Sequence, residues 1–159
     1  MTTLEISRQA RRRMRIAARL PTRHPRQIDH VSTAIDQLPE PDTLNAEERA
    51  AALTAIARQR NRLDAYLTTL AGHADDNHDS QILGAGTTGT LITAATRCDP
   101  ATGSATVNRA KALRDHPHLH AAYQAGTLTT SHVAAILADA ARIDHFAKLE
   151  ADLVTLATT

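Results

Sequence analysis

Residues 45–71 read NAEERAAALTAIARQRNRLDAYLTTLA. Asn45 offers a side-chain acceptor at a helix start, and Glu48, three residues on, completes a capping-box arrangement. Beyond it Leu53, Ile56, Leu63, Leu67 and Leu70 recur at heptad spacing. The pattern predicts a helix of about 25 residues, roughly twice the average length. Upstream, Ile28, Val31, Ile35 and Leu38 fall at intervals of 3, 4 and 3, which marks a second helical face that ends at the Pro-Glu-Pro-Asp break of 39–42. The two helices are expected to pair antiparallel as a hairpin over 28–71.

The residues available for a core favour the same class. The chain has 159 residues, enough for one domain. Ala supplies 31 of its apolar positions and Val only four, so composition selects packed helices over a β-sandwich or barrel. With Tyr66, Tyr123 and Phe146 as the only rings, base-stacking platforms are excluded. The single Cys98 excludes a disulfide framework and a thiolate zinc site. No apolar run reaches the ~18 residues of a membrane span, so the sequence reads as a soluble, cytoplasmic protein.

Downstream of the hairpin, 72–89 is rich in Gly, Asp and Thr and is expected to be a loop. A bundle of shorter helices over 90–159 follows. Leu91, Ile92 and Ala95 mark a short helix, CDPATG a turn, and Ser104 the N-cap of a helix carrying Val107, Ala110 and Leu113. Pro117 suits the first turn of the next helix, Gly126 stops it, and Thr129 or Thr130 caps another. The last pattern, Phe146, Leu149, Leu153 and Leu156, is still strong at Thr159, as expected of a segment of a longer chain. The whole reads as an all-α domain over 28–159, a long hairpin packed on a bundle with a helix-turn-helix-like unit.

Charge is distributed unevenly. Residues 1–27 carry eight Arg against Glu5, so a +7 arm precedes a body that sums to −6. Such arms contact nucleic acid through phosphate neutralisation. The Pro21 to Pro25 break is expected to leave this arm uncoupled from the body. The candidate DNA contacts are Arg8, Arg11, Arg12, Arg13, Arg15 and Arg19 on the arm, with Ser104, Thr106, Asn108, Arg109 and Lys111 on the second helix of the helix-turn-helix-like unit. Thr106 and Arg109 are expected to face solvent, and Ala95 is expected at the close crossing of the two helices.

Sites for chemistry are not assembled. HADDNHD at 73–79 holds nitrogen and oxygen donors without the spacing of a metal site. Asp29-His30 and Asp144-His145 lie in helical patterns without the Gly-rich turn and downstream His of an HNH nuclease, and no nucleophile, base and orienting group converge. The expectation is a protein without enzymatic activity, catalytic residues, metal or cofactor.

From about Ile28 onward the order of elements resembles the domain of unknown function 222 family. The resembling parts are ARQRNRLDAYLTTLAGHA, GTTGTLITAATR, ATGSATVNRAKALRDHPHLHAAYQAGTLTTSHVAAILADA and LEADLVTLA. In that family the domain commonly precedes an HNH endonuclease module, which is absent from this sequence. The stretch with Pro117, Gly126, Leu128, Thr129 and His132 is also similar to the region after the helix-turn-helix of ParB-type partition proteins. These resemblances imply a non-catalytic DNA-binding domain that works with an HNH nuclease partner. The alternative is a protein interaction module in which helix 46–71 mates with a copy of itself, giving a homo-oligomer.

Overall fold

The computed structural model describes residues 11, 15–18, 20 and 24–158. Their order is α1 (Arg26–Asp36), α2 (Ala46–Asp76), α3 (Asp79–Ile82), α4 (Thr88–Thr96), α5 (Pro100–Ala112), a 3₁₀ turn (Leu113–Asp115), α6 (Pro117–Gln124), α7 (Thr130–Ala140) and α8 (Phe146–Thr158). Among the described residues there is no strand, so the all-α class holds. No described helix is long and apolar enough to cross a membrane.

The capping box of α2 forms as its residues dictate. Asn45 accepts from the Glu48 N–H at 2.9 Å and the Asn45 N–H donates to the Glu48 carboxylate at 2.8 Å. The helix then runs 31 residues and takes in the first five, 72–76, of the segment expected to be a loop. Asp75 and Asp76 sit at its C-terminal end, where the helix dipole disfavours carboxylates. Cations on α5 and the 3₁₀ turn offset this: Lys111 lies 2.7 Å from Asp75, and Arg114 grips Asp76 with contacts of 2.7 and 2.8 Å. The expected loop thus shrinks to the connections around α3.

α2 buries a different stripe from the one its large residues advertise. Ala65, Thr68, Ala71 and Gly72 are buried, whereas Leu53, Ile56, Leu63, Tyr66 and Leu70 are exposed. At 3.6 residues per turn the two stripes lie roughly 150° apart around the helix. The small-residue side wins because it lets the α5 and α6 backbones come close, and dispersion is strongest at short range. The expected hairpin does not close. α1 buries no residue, its Ile28 and Ile35 stay exposed with Leu38 just beyond its end, and it makes no extensive packing with α2 or any other described helix. The physical reason is that α1 hangs from the N-terminal half of α2, which projects beyond the bundle.

α4 and α5 form the most extensive helix pair. α5 starts four residues before the expected Ser104, because Asp99 followed by Pro100 is the stronger start signal: the Asp99 side chain accepts from the Thr102 N–H at 2.9 Å, and Pro100 occupies the first turn. Gly103 is therefore inside the helix. A Cβ there would lie 2.3 Å from the Thr93 hydroxyl and 2.4 Å from the Gly89 carbonyl oxygen. The close crossing is consequently made by Gly89, Thr93 and Gly103, while Ala95 is exposed.

The main core gathers Ala65, Leu113, Leu119, Tyr123, Leu128 and Val133. Gly126, at φ +75, makes a left-handed turn that sets its Cα against the Arg58 carbonyl of α2, where a Cβ would come within 2.4 Å. Arg58 Nε donates to the Ala125 carbonyl at 3.0 Å and Asn61 donates to that of Gly126 at 3.1 Å. The Tyr123 hydroxyl, buried beneath this turn, pairs with Thr130 at 2.7 Å. α8 is rotated from its expected stripe. Leu149 is exposed and Glu150 is buried, because the Glu150 carboxylate accepts the Leu119 N–H at 2.8 Å and so satisfies the start of α6, whose own cap residue His116 supplies no side-chain bond.

The arm also departs from expectation. Ile16, in a helical turn at 15–17, is buried with Ala85, Leu91 and Ala94, and Leu20 and Leu83 pack around it. At least this part is docked on α4.

Candidate nucleic-acid interface

Three residues, Arg97 to Asp99, join α4 to α5. Arg97 is left-handed, at φ 58, the conformation that turns the chain sharply after a helix. With the Gly89–Gly103 approach behind it, this turn holds α5 against α4 and leaves one edge of α5 in solvent. That edge carries Ala101, Ser104, Ala105, Asn108 and Lys111, at the spacing of a single helical face. Its small residues let a groove wall approach, and Ser104 and Asn108 each both donate and accept hydrogen bonds.

Of the candidate contacts on α5, Ser104 and Asn108 are exposed. Thr106 is buried and donates to the Thr102 carbonyl at 2.9 Å, because it falls on the inward face with Gly103, Val107 and Ala110. Arg109 is half-buried, and its Nε is enclosed with no hydrogen-bond partner among the described residues. Lys111 is exposed but already engaged by Asp75. That contact, with a further hydrogen bond from Thr88, holds the Asp75 carboxyl below its ordinary value. Asp99 is likewise lowered, by the Thr102 hydroxyl and N–H that donate to it. A charged carboxylate thus stands at the α5 N-terminus and already answers the positive end of its dipole.

Arg11 and Arg15 are exposed on the segment that Ile16 anchors to α4. Arg8, Arg12, Arg13 and Arg19 lie outside the described residues. Sequence reasoning missed this anchoring, although Ile16 was legible as the one branched aliphatic residue among the arginines of 11–19. Asp29-His30 and Asp144-His145 are exposed, and among the described residues no group of three or more His, Cys, Asp or Glu side chains is placed to hold a metal ion.

A family model described as Domain of unknown function (DUF222) matches residues 50–159. No curated protein and no solved structure matches the chain.

Proposed function

This chain belongs to the family described as Domain of unknown function (DUF222), and from that premise we propose that it is a non-catalytic DNA-binding domain. The observation that carries the proposal is the joining of two features that are far apart in sequence. Ile16 docks an arginine-bearing segment on α4, the first helix of the pair whose second helix keeps Ser104 and Asn108 in solvent. Phosphates would meet Arg11 and Arg15, which position the duplex, and base edges would meet Ser104 and Asn108, which discriminate sequence. Strand cleavage, where it accompanies binding, falls to an HNH nuclease partner of the kind that the resemblance implies.

The test is fluorescence anisotropy of labelled duplexes over a salt series. Asn108→Ala is expected to cost roughly 1 to 3 kcal/mol on a preferred sequence and less on random DNA, with thermal stability unchanged. Replacing Arg11 and Arg15 together is expected to weaken all sequences alike and to lower the salt slope by about two. A parent protein that binds no duplex at low salt, or variants that bind like the parent, would overturn the proposal.

A second reading, a protein interaction or oligomerisation module, is favoured by the exposed apolar stripe of α2. The two readings are separated by salt, since apolar pairing resists the ionic strength that dissolves phosphate contacts.

A further inference from the structure

The outer side of α2 has an internal symmetry. Leu53, Ile56, Gln59, Arg60, Leu63 and Tyr66 are all exposed and follow one another at steps of 3, 3, 1, 3 and 3. The series reads the same from either end, with its midpoint between Gln59 and Arg60. The apolar members on either side of that midpoint are 73% (Leu53), 50% (Ile56), 48% (Leu63) and 54% (Tyr66) exposed. An isologous contact between two copies demands this property, because residue i of one must meet residue j of the other and j must meet i.

We propose that this face of α2 pairs antiparallel with the same face of a second copy of the chain, about a two-fold axis between Gln59 and Arg60. The inference rests on the interaction reading above and narrows it to one occupant. In this register Leu53 meets Tyr66 and Ile56 meets Leu63, twice over. The polar Gln59 and Arg60 meet at the axis, where a polar pair fixes register as it does in a coiled-coil seam. The bundle does not obstruct the contact, since the stripe that α2 buries against α5 and α6 lies on its opposite side.

The area is sufficient. Taking the ~200 Å² scale of a large side chain, these four with Leu70 expose on the order of 500 Å², the size of the largest patch on a typical monomer. Ile28 and Ile35 of α1, and Leu38 just after it, are exposed as well. Antiparallel order brings the end of one α2 that carries α1 toward Leu70 of the other. If the α1 residues join the contact, the apolar area from each copy reaches roughly 800 Å², the share of a standard-size interface.

The test uses the full chain in sedimentation velocity, with a Cys98→Ser background for cross-linking. The expected mass is twice the 17.1 kDa of one chain. Ile56→Asp is expected to halve it while the circular dichroism spectrum stays that of the folded chain, since Ile56 is half exposed. Leu53→Cys combined with Tyr66→Cys is expected to give a disulfide-linked dimer on oxidation, while either substitution alone gives none, because each residue lies far from its own copy across the axis. A wild-type chain that stays monomeric at ~100 µM would overturn the pairing and leave the interaction reading only a partner other than a second copy. A dimer that ignores Ile56→Asp, or that cross-links through a single cysteine, would overturn this pairing and leave the interaction reading standing.

Discussion

Glu150→Ala tests whether α8 is held to the bundle by a carboxylate acting as a remote helix cap. Glu150 is 2% exposed and accepts the Leu119 N–H at 2.8 Å. Leu119 lies in the first turn of α6, where backbone donors have no partner within the helix. A hydrogen bond to a charged group contributes ~1.5 to 3 kcal/mol, and its loss leaves that donor buried and unpaired. Placement at a helix N-terminus adds a few tenths to one kcal/mol. The expected loss is therefore about 2 to 3 kcal/mol, which for a chain of this length corresponds to roughly 5 to 10 °C in melting temperature. Urea and thermal unfolding followed by circular dichroism would measure it. Glu150→Met keeps most of the volume and removes the acceptor, so it should fall between Ala and Glu150→Gln, which keeps an acceptor oxygen. A loss for the Ala variant inside the ~0.5 kcal/mol of ordinary surface changes would refute the reasoning. A Gln variant as unstable as Ala would show that the bond to Leu119 is not what matters.

Ile16→Ala is expected to cost ~2 kcal/mol or more, as for other buried aliphatic truncations, and chemical denaturation would detect it; a silent substitution would mean that the arm does not contribute to the fold. The lowered Asp75 carboxyl, held chiefly by Lys111, gives stability that is present above the unfolded-state value near ~4 and is lost as pH falls through the lower folded value. Lys111→Met should then be less stable than the parent at pH 7, by at most ~1 kcal/mol for so exposed a pair, with the difference vanishing near pH 2. An equal difference at both pH values in urea titrations would assign the effect to packing.

The helices themselves were legible where local chemistry spells them. Asn45 with Glu48, Pro117, Gly126 and Thr129 each satisfy or terminate a backbone within a few residues, so their signals survive without knowledge of the fold. The α5 start was misassigned to Ser104 because Gly103 counts as a breaker in sequence, whereas the approach of Gly89 and Thr93 requires it there. The buried face of α2 was illegible for a related reason. Periodicity weighs side chains by size, and here Leu63 and Leu70 are the less buried residues while Ala65, Ala71 and Gly72 make the contact. Glu150, Lys111 and Arg114 find partners 31 to 38 residues away, and no local pattern encodes such pairings. At the candidate interface, of the two residues expected to face solvent Thr106 is buried and Arg109 half-buried, because the wrong helix start hid the inward face that Gly103 shares with Thr106.

The contacts among Gly89, Thr93 and Gly103, and between Gly72 and Ala110, have little side chain left to remove. A scan that only truncates side chains would pass over them, since most of their residues are already alanine or glycine. The mutational profile of this domain is thus inverted along the α4–α5 and α2–α5 seams. Sensitivity there lies in gaining atoms, and one methyl group at position 103 would force two helices apart by more than truncating a leucine on the outer side of α2 would ever relax them. Substitutions that drift toward larger residues are closed to these seams, while the outer side of α2 tolerates them freely in the isolated chain.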